Sequence, residues 1–232
     1  MRNGYKPVLS LLTAYRNRQA DLKFLLAYLD HLRNDEGFYD FELILVEDNN
    51  RSTMAHCGER YAWVRYQHVP TEGAPKRSCL LNQAASIAGG DYLMAYRMDM
   101  LPAEGVLGHH LALACASPHC LIAGYRLRLP ARPSTHGLPP VSELIEKSIS
   151  LNRPLAAPED TRQGLLKALL TQERYAMGCC YPRTALEAAG GFNEDAEGRE
   201  EQDLIQRVCE NGLTLVRSYD LIYFQLPADE YH

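Results

Sequence analysis

No stretch of this chain approaches the roughly 20 consecutive apolar residues that a membrane-spanning helix needs, and no internal repeat or low-complexity tract appears in it. It has no excess of positive charge: a net charge of −5 argues against broad phosphate-backbone binding, and so against nucleic acid as a partner. The seven cysteines contain no CxxC and no Cys–His ligand spacing. Their odd number and the adjacent pair Cys179-Cys180 argue against a disulfide framework and for a reducing compartment. The N-terminal MRNGYKPVLSLLTAYRNR has no small-residue cleavage site behind its short apolar core, so it reads as a first strand rather than a signal peptide. These absences leave a soluble, cytoplasmic protein of 232 residues, long enough for one domain with a substantial core.

What is present alternates. Val8–Thr13 is a short apolar run, and Leu22, Leu25, Leu26, Leu29 and Leu32 then recur at helical spacing. Phe41–Val46 is a second apolar run, and Val64–Val69 a shorter third. Leu80, Leu81, Ala84 and Ile87 mark a helix stopped by Gly89-Gly90, and Tyr92–Tyr96 is the next strand. Strands that are apolar throughout, separated by helices, predict an α/β fold with a mostly parallel central sheet covered on both faces. Ligands of such sheets sit beyond the carboxyl ends of the strands. The polar clusters after the first, second and fourth strands (Tyr15–Arg18, Glu47–Asn50, Arg97–Asp99) all fall on that edge, which predicts one site built from three loops.

Farther on, Arg128–Pro140 holds four prolines and no periodicity, and reads as a long loop, either a lid or plain decoration. Helices are expected near Val141–Ile149 and Thr161–Leu170. A strand at Tyr175–Tyr181, short helices at Thr184–Ala189 and Leu204–Cys209, and late strands at Thr214–Val216 and Leu221–Phe224 complete the reading.

Three segments in order resemble glycosyltransferases of the GT-A fold. LSLLTAYRNRQADLKFLLAYL (9–29) is similar to their first strand and helix, with Tyr15–Gln19 close to the beta-1,4-galactosyltransferase type and its glycosyltransferase family 2 relatives. KRSCLLNQAASIAGGDYLMAYRMDMLP (76–102) resembles the helix and strand that lead to their Asp-x-Asp metal motif. GCCYPRTALEAAGGFNEDAEGREEQDLIQR (178–207) resembles the acceptor-side region, with its Gly-Gly-Phe turn and acidic helix start.

The resemblance implies a single domain over 1–232, with a nucleotide-binding part (1–102), a variable region (103–174) and an acceptor and catalytic part (175–232). It implies an inverting transfer from a nucleotide-sugar donor, a UDP-sugar first, to a glycan hydroxyl. Tyr15, Arg16, Arg18, Glu47, Asp48, Arg77, Arg97 and Asp99 fall on donor-binding positions. Glu201 falls on that of the general base, and Glu200 and Asp203 on acceptor-binding ones.

The residue types suit those tasks, since a forked guanidinium suits a phosphate and a carboxylate can take a hydroxyl proton. Each also has a plainer reading. Arg16 and Arg18 could be surface ion pairs, Glu47 and Asp48 turn carboxylates, Arg77 a helix-start residue, Arg97 and Asp99 a salt bridge at a strand end, where side chains at i and i+2 share a side, and 200–203 an acidic first helical turn that favours the macrodipole. Arg97 departs from the family, standing where the first aspartate of the motif belongs. A divalent ion (Mn²⁺ or Mg²⁺) on Asp99 would sit beside a fixed cation at a cost of several kcal/mol, on the order expected at an effective dielectric near 20. The second metal position, a histidine near the chain end, is unmatched in Leu221–Gln225, which leaves only His232.

Two readings follow. Either Arg97, held by Asp99, replaces the metal at the diphosphate, or the domain is an inactive nucleotide- or glycan-binding scaffold. A sugar-nucleotide nucleotidyltransferase would need a glycine-rich phosphate loop, and TAYRNRQ has no glycine.

Overall fold

The computed structural model describes residues 8–35, 37–70, 76–133, 142–146, 177–196 and 198–227. Its first strand, β1 (Leu9–Tyr15), is buried along nearly its whole length, as expected of a strand covered on both faces. Helix α1 (Gln19–Asp35) follows, with Leu22, Leu25, Leu26, Leu29 and Leu32 buried as the stripe they form in the sequence. Each such leucine contributes about 1.5–3 kcal/mol of transfer free energy, so the stripe holds the helix to the sheet. The rest of the first half is β2 (Phe41–Glu47), α2 (His56–Arg60), β3 (Val64–His68), α3 (Arg77–Ile87), β4 (Tyr92–Ala95), β5 (Met100–Pro102) and α4 (Val106–Ala116). After β6 (Cys120–Arg128) and a short helical stretch at 142–146 come β7 (Met177–Pro182), α5 (Arg183–Ala188), α6 (Glu200–Glu210) and β8 (Thr214–Gln225).

The eight strands among the described residues form one sheet, ordered β3-β2-β1-β4-β7-β6-β8-β5. The β3-β2-β1-β4 half is parallel throughout. In the other half β7 runs antiparallel to both β4 and β6, β8 runs parallel to β6, and β5 antiparallel to β8. The sheet therefore has a parallel half and a mixed half.

It also has to curl. β4 and β5 are consecutive in sequence yet four places apart in the sheet, about 19 Å if it lay flat. The link from Ala95 to Met100 spans at most about 17 Å fully extended, and it makes a turn, Met100 N–H bonding the Arg97 carbonyl at 3.2 Å. Only a curled sheet closes this distance, and the curl brings the end of β8 back to the end of β4.

The core lies on both faces. One cluster, around α1 and α4, includes Leu25, Phe41, Trp63, Met94 and Tyr223. The other, around α3, α5 and α6, includes Ile44, Leu81, Cys179, Phe192 and Leu204. Trp63 and the Cys179-Cys180 pair are core residues, and all seven cysteines are free thiols. No helix among the described residues is long and apolar enough to cross a membrane.

Several elements differ from the sequence reading. The two late strands are one continuous β8, and α2, the three-residue β5, α4 and β6 are additional. Most of the Pro-rich loop 128–140 and the helices expected near Val141–Ile149 and Thr161–Leu170 lie outside the described residues, apart from 128–133 and 142–146.

Candidate active site

The ends of β1 and β4 and the start of α3 enclose a cleft of about 290 Å³, bordered also by Asp48 behind β2. Its walls carry four guanidiniums, from Arg16, Arg18, Arg77 and Arg97, and two carboxylates, from Asp48 and Asp99, together with Tyr15, Tyr96 and Leu80. This is the carboxyl edge of the parallel half, where the sequence places the three loops.

Each cation is held by a carboxylate. Arg97 grips Asp99 with a two-point fork, Nε to Oδ1 at 2.9 Å and Nη2 to Oδ2 at 2.8 Å. The pair meets within a turn, because β4 stops at Ala95, and not along an extended strand as the sequence suggests. Gln225 at the end of β8 donates to Asp99 Oδ2 at 3.0 Å, and Leu226 N–H bonds the Asp99 carbonyl at 2.8 Å. Burial alone would push the Asp99 carboxyl up, but the Arg97 fork, with Gln225 and the nearby Arg18, overrides it and holds the group at about 2. Asp99 in turn raises Arg97 above the ordinary arginine value.

Arg18 is 2.5 Å from Asp21, a buried carboxylate that also takes Arg132. Arg16 lies 3.6 Å from Asp48, whose N–H bonds the Tyr15 carbonyl at 3.0 Å. Asn17, between the two arginines, has a φ of +51°, the left-handed conformation that asparagine tolerates better than most residues.

Glu201, at the first turn of α6, accepts from Arg77 Nη2 at 2.9 Å, while Glu200, buried beside it, lies 3.8 Å from Nη1 of the same arginine. The geometry is set from behind by a sequence-distant clamp. Asn82 on α3 accepts from Phe192 N–H at 2.8 Å and donates to the Phe192 carbonyl at 2.9 Å. The two glycines before it, Gly190 and Gly191, take φ of +76° and +79°, and a Cβ on Gly191 would come 2.7 Å from Asn82 Oδ1. The turn thus fits against α3 only with no side chain at position 191, and it delivers the start of α6 to the start of α3.

Two of the expected site residues, Glu47 and Asp203, stand outside the cleft lining and bond to the scaffold. Glu47, fully buried, does not line the cleft. Its oxygens accept from the Thr53 and Met54 N–H groups, the Thr53 hydroxyl, Asn49 and Tyr66. Burial would raise it, but these donors together lower it, and Tyr66 opposite is pushed up to about 12 by burial and by Glu47. It is the turn carboxylate of the plainer reading. Asp203 is committed to Arg207, with Nε 2.7 Å and Nη2 2.6 Å from its Oδ2. Arg207 caps the Ala189 and Gly191 carbonyls of the same Gly-Gly turn. Asp203 borders a separate groove along α6 and not the cleft. Conversely, sequence reasoning passed over Gln225 and Asp21. Asp21 carried a signal, an acid three residues after Arg18 on a helix start. Gln225 carried none, being the last residue of an apolar strand.

The described residues of the cleft do not make up a ligand set for a divalent ion. Both Asp99 oxygens are taken by donors, and among the described residues no three His, Cys, Asp or Glu side chains gather as ligands. His232 lies outside the described residues.

No protein-family model and no curated protein matches the chain. Solved structures do. The chain aligns over 96% of its length with S. aureus TarS at a TM-score of 0.63 and 18% identity, covering 37% of that chain. It aligns over 97% with TarS 1–349 in complex with UDP-GlcNAc, at a TM-score of 0.61 and 16% identity. A third match is the mannosyltransferase PcManGT from Pyrobaculum calidifontis in complex with GDP-Man and Mn²⁺, over 99% of this chain at a TM-score of 0.60 and 18% identity. The chain spans 60% of each of the latter two. The likeness is one of fold: this chain has the mixed α/β architecture of the GT-A glycosyltransferases.

Proposed function

We propose that the protein is an inverting glycosyltransferase that takes a nucleotide-sugar donor, a UDP-sugar first, and binds its diphosphate through arginine side chains instead of a divalent ion. The observation that carries this reading is the cleft itself, with four guanidiniums on the carboxyl edge of a parallel sheet and Glu201 close by. Solved relatives of the fold that hold UDP-GlcNAc and GDP-Man support the donor class. The finer likeness to the beta-1,4-galactosyltransferase type rests on Tyr15–Gln19 alone.

In this reading Arg16, Arg18 and Asp48 meet the nucleoside and its phosphates, and Arg97, fixed by Asp99, faces the bond that breaks. An acceptor hydroxyl, from a glycan, attacks the anomeric carbon from the side opposite the diphosphate. The new carbon–oxygen bond forms as the sugar–phosphate bond breaks, and the electron pair leaves with the nucleoside diphosphate. The hydroxyl proton passes to Glu201, and Arg97 stabilises the charge that grows on the leaving phosphate.

Calorimetric titration with UDP, once in EDTA and once in Mn²⁺, tests it. Equal binding in both is expected. Binding that requires Mn²⁺ would overturn the arginine site, and binding without turnover of any donor would leave a nucleotide-binding scaffold.

A further inference from the structure

Arg77 belongs to two sites at once. It lines the cleft with Arg16, Arg18 and Arg97, and it is the cation on both glutamates at the start of α6, 2.9 Å from Glu201 and 3.8 Å from Glu200. The other fixed cations are differently placed. Arg97 is locked by a fork on a carboxylate that Gln225 also holds, and Arg18 by a buried aspartate. The Arg77 link to Glu201 is a single hydrogen bond from a side chain one-third exposed, reaching from the first turn of α3 to the first turn of α6.

We propose that a donor diphosphate takes Arg77 from Glu201, so that donor binding uncovers the base. This rests on the reading of the cleft as a nucleotide-diphosphate site. A diphosphate offers more negative charge and more acceptor oxygens than one carboxylate, and a guanidinium fork fits it at two points. Once Arg77 turns, Glu201 Oε1 is open to an acceptor hydroxyl. Glu201 and its neighbour Glu200 then keep the favourable end of an 11-residue helix without their cation. The consequence is an ordered reaction. The base is covered until the donor is in place, which protects it from engaging an acceptor with no sugar to receive.

A double-mutant cycle on binding isolates the exchange. UDP is titrated in EDTA into the wild type, Glu201→Gln, Arg77→Ala and the double variant, with GDP as a second probe and Arg77→Gln as a second substitution should the alanine unfold the chain. Loss of the glutamate charge removes a repulsion from the phosphates in every background, and this cancels across the cycle. Loss of competition for the guanidinium does not cancel. Glu201→Gln should therefore tighten UDP by about threefold or more beyond its effect in the Arg77→Ala background, a difference of roughly 0.6 kcal/mol or more. An equal effect in both backgrounds means that the pair survives in the complex and overturns the proposal while leaving the nucleotide site standing. If neither UDP nor GDP binds the wild type, the nucleotide reading falls, and this inference with it.

Discussion

At the scale of single residues, the proposed reading puts a cation of the chain itself, in the turn 97–99, where a divalent ion would face the diphosphate. A cation that is part of the chain cannot be removed by a chelator, and its position is set by Asp99 and Gln225 and not by metal availability. Arg97→Ala should weaken UDP by about tenfold or more, the loss of one or two charge-assisted hydrogen bonds, and leave uridine almost unchanged. Calorimetry with both ligands decides it, because equal losses would make the Arg97–Asp99 fork a plain ion pair. Glu201 is separable from this. On the proposed reading Glu201→Gln removes the acceptor of the proton but no donor contact, so transfer should fall about a hundredfold or more while UDP is bound at least as tightly. Transfer at the wild-type rate would place the base elsewhere.

At the scale of elements, the sequence disclosed what has a period and concealed what does not. The leucines of α1, the apolar runs of β1, β2 and β4 and the polar residues that end them were all readable, and with them the edge on which the cleft lies. Helix α4 was not, because VLGHHLALACA mixes apolar residues, small residues and two histidines with no polar face to contrast. Neither were the pairings. Arg77 and Glu201 stand 124 positions apart and meet only because Asn82 pins the Gly-Gly-Phe turn, and Gln225 reaches Asp99 only because the sheet curls.

His110 on α4 shows the cost of one such hidden contact. The Ile122 carbonyl can only accept, so the imidazole proton sits on Nε2, 3.0 Å away, and Nδ1 accepts the Tyr223 hydroxyl at 2.7 Å. Burial lowers His110 to about 4, against 6.5 when exposed. Between those values the unfolded chain binds the extra proton and the folded one does not. The contribution is therefore complete above pH 6.5 and lost as pH falls toward 4, by up to about 3 kcal/mol. Urea melts at pH 7, 5.5 and 4.5 should show it, and His110→Gln should flatten this part of the profile although its baseline is lower. An unchanged slope in the variant would assign the acid sensitivity to another group.

At the scale of the whole molecule, a chain of net charge −5 concentrates four arginines around one cleft. The two halves of the sheet divide the work. The parallel half supplies Arg16, Arg18, Arg77 and Arg97, whereas the mixed half supplies Gln225 to fix Asp99 and, through α6, Glu201, the proposed base. Elsewhere acidic charge predominates, so attraction for an anion is local to the cleft and depends on how far its field reaches through salt. The screening length is about 10 Å at 0.1 M and shrinks to about 3 Å at 1 M. UDP affinity should therefore fall by about tenfold between 50 and 500 mM NaCl, measured in EDTA, while the affinity for uridine stays within about twofold. If UDP were as indifferent to salt as uridine, its phosphates would not be facing the guanidiniums. The donor would then have to lie in the cleft with its nucleoside alone in contact, which would assign Arg77 and Arg97 to the architecture of α6 and β8 and not to the substrate.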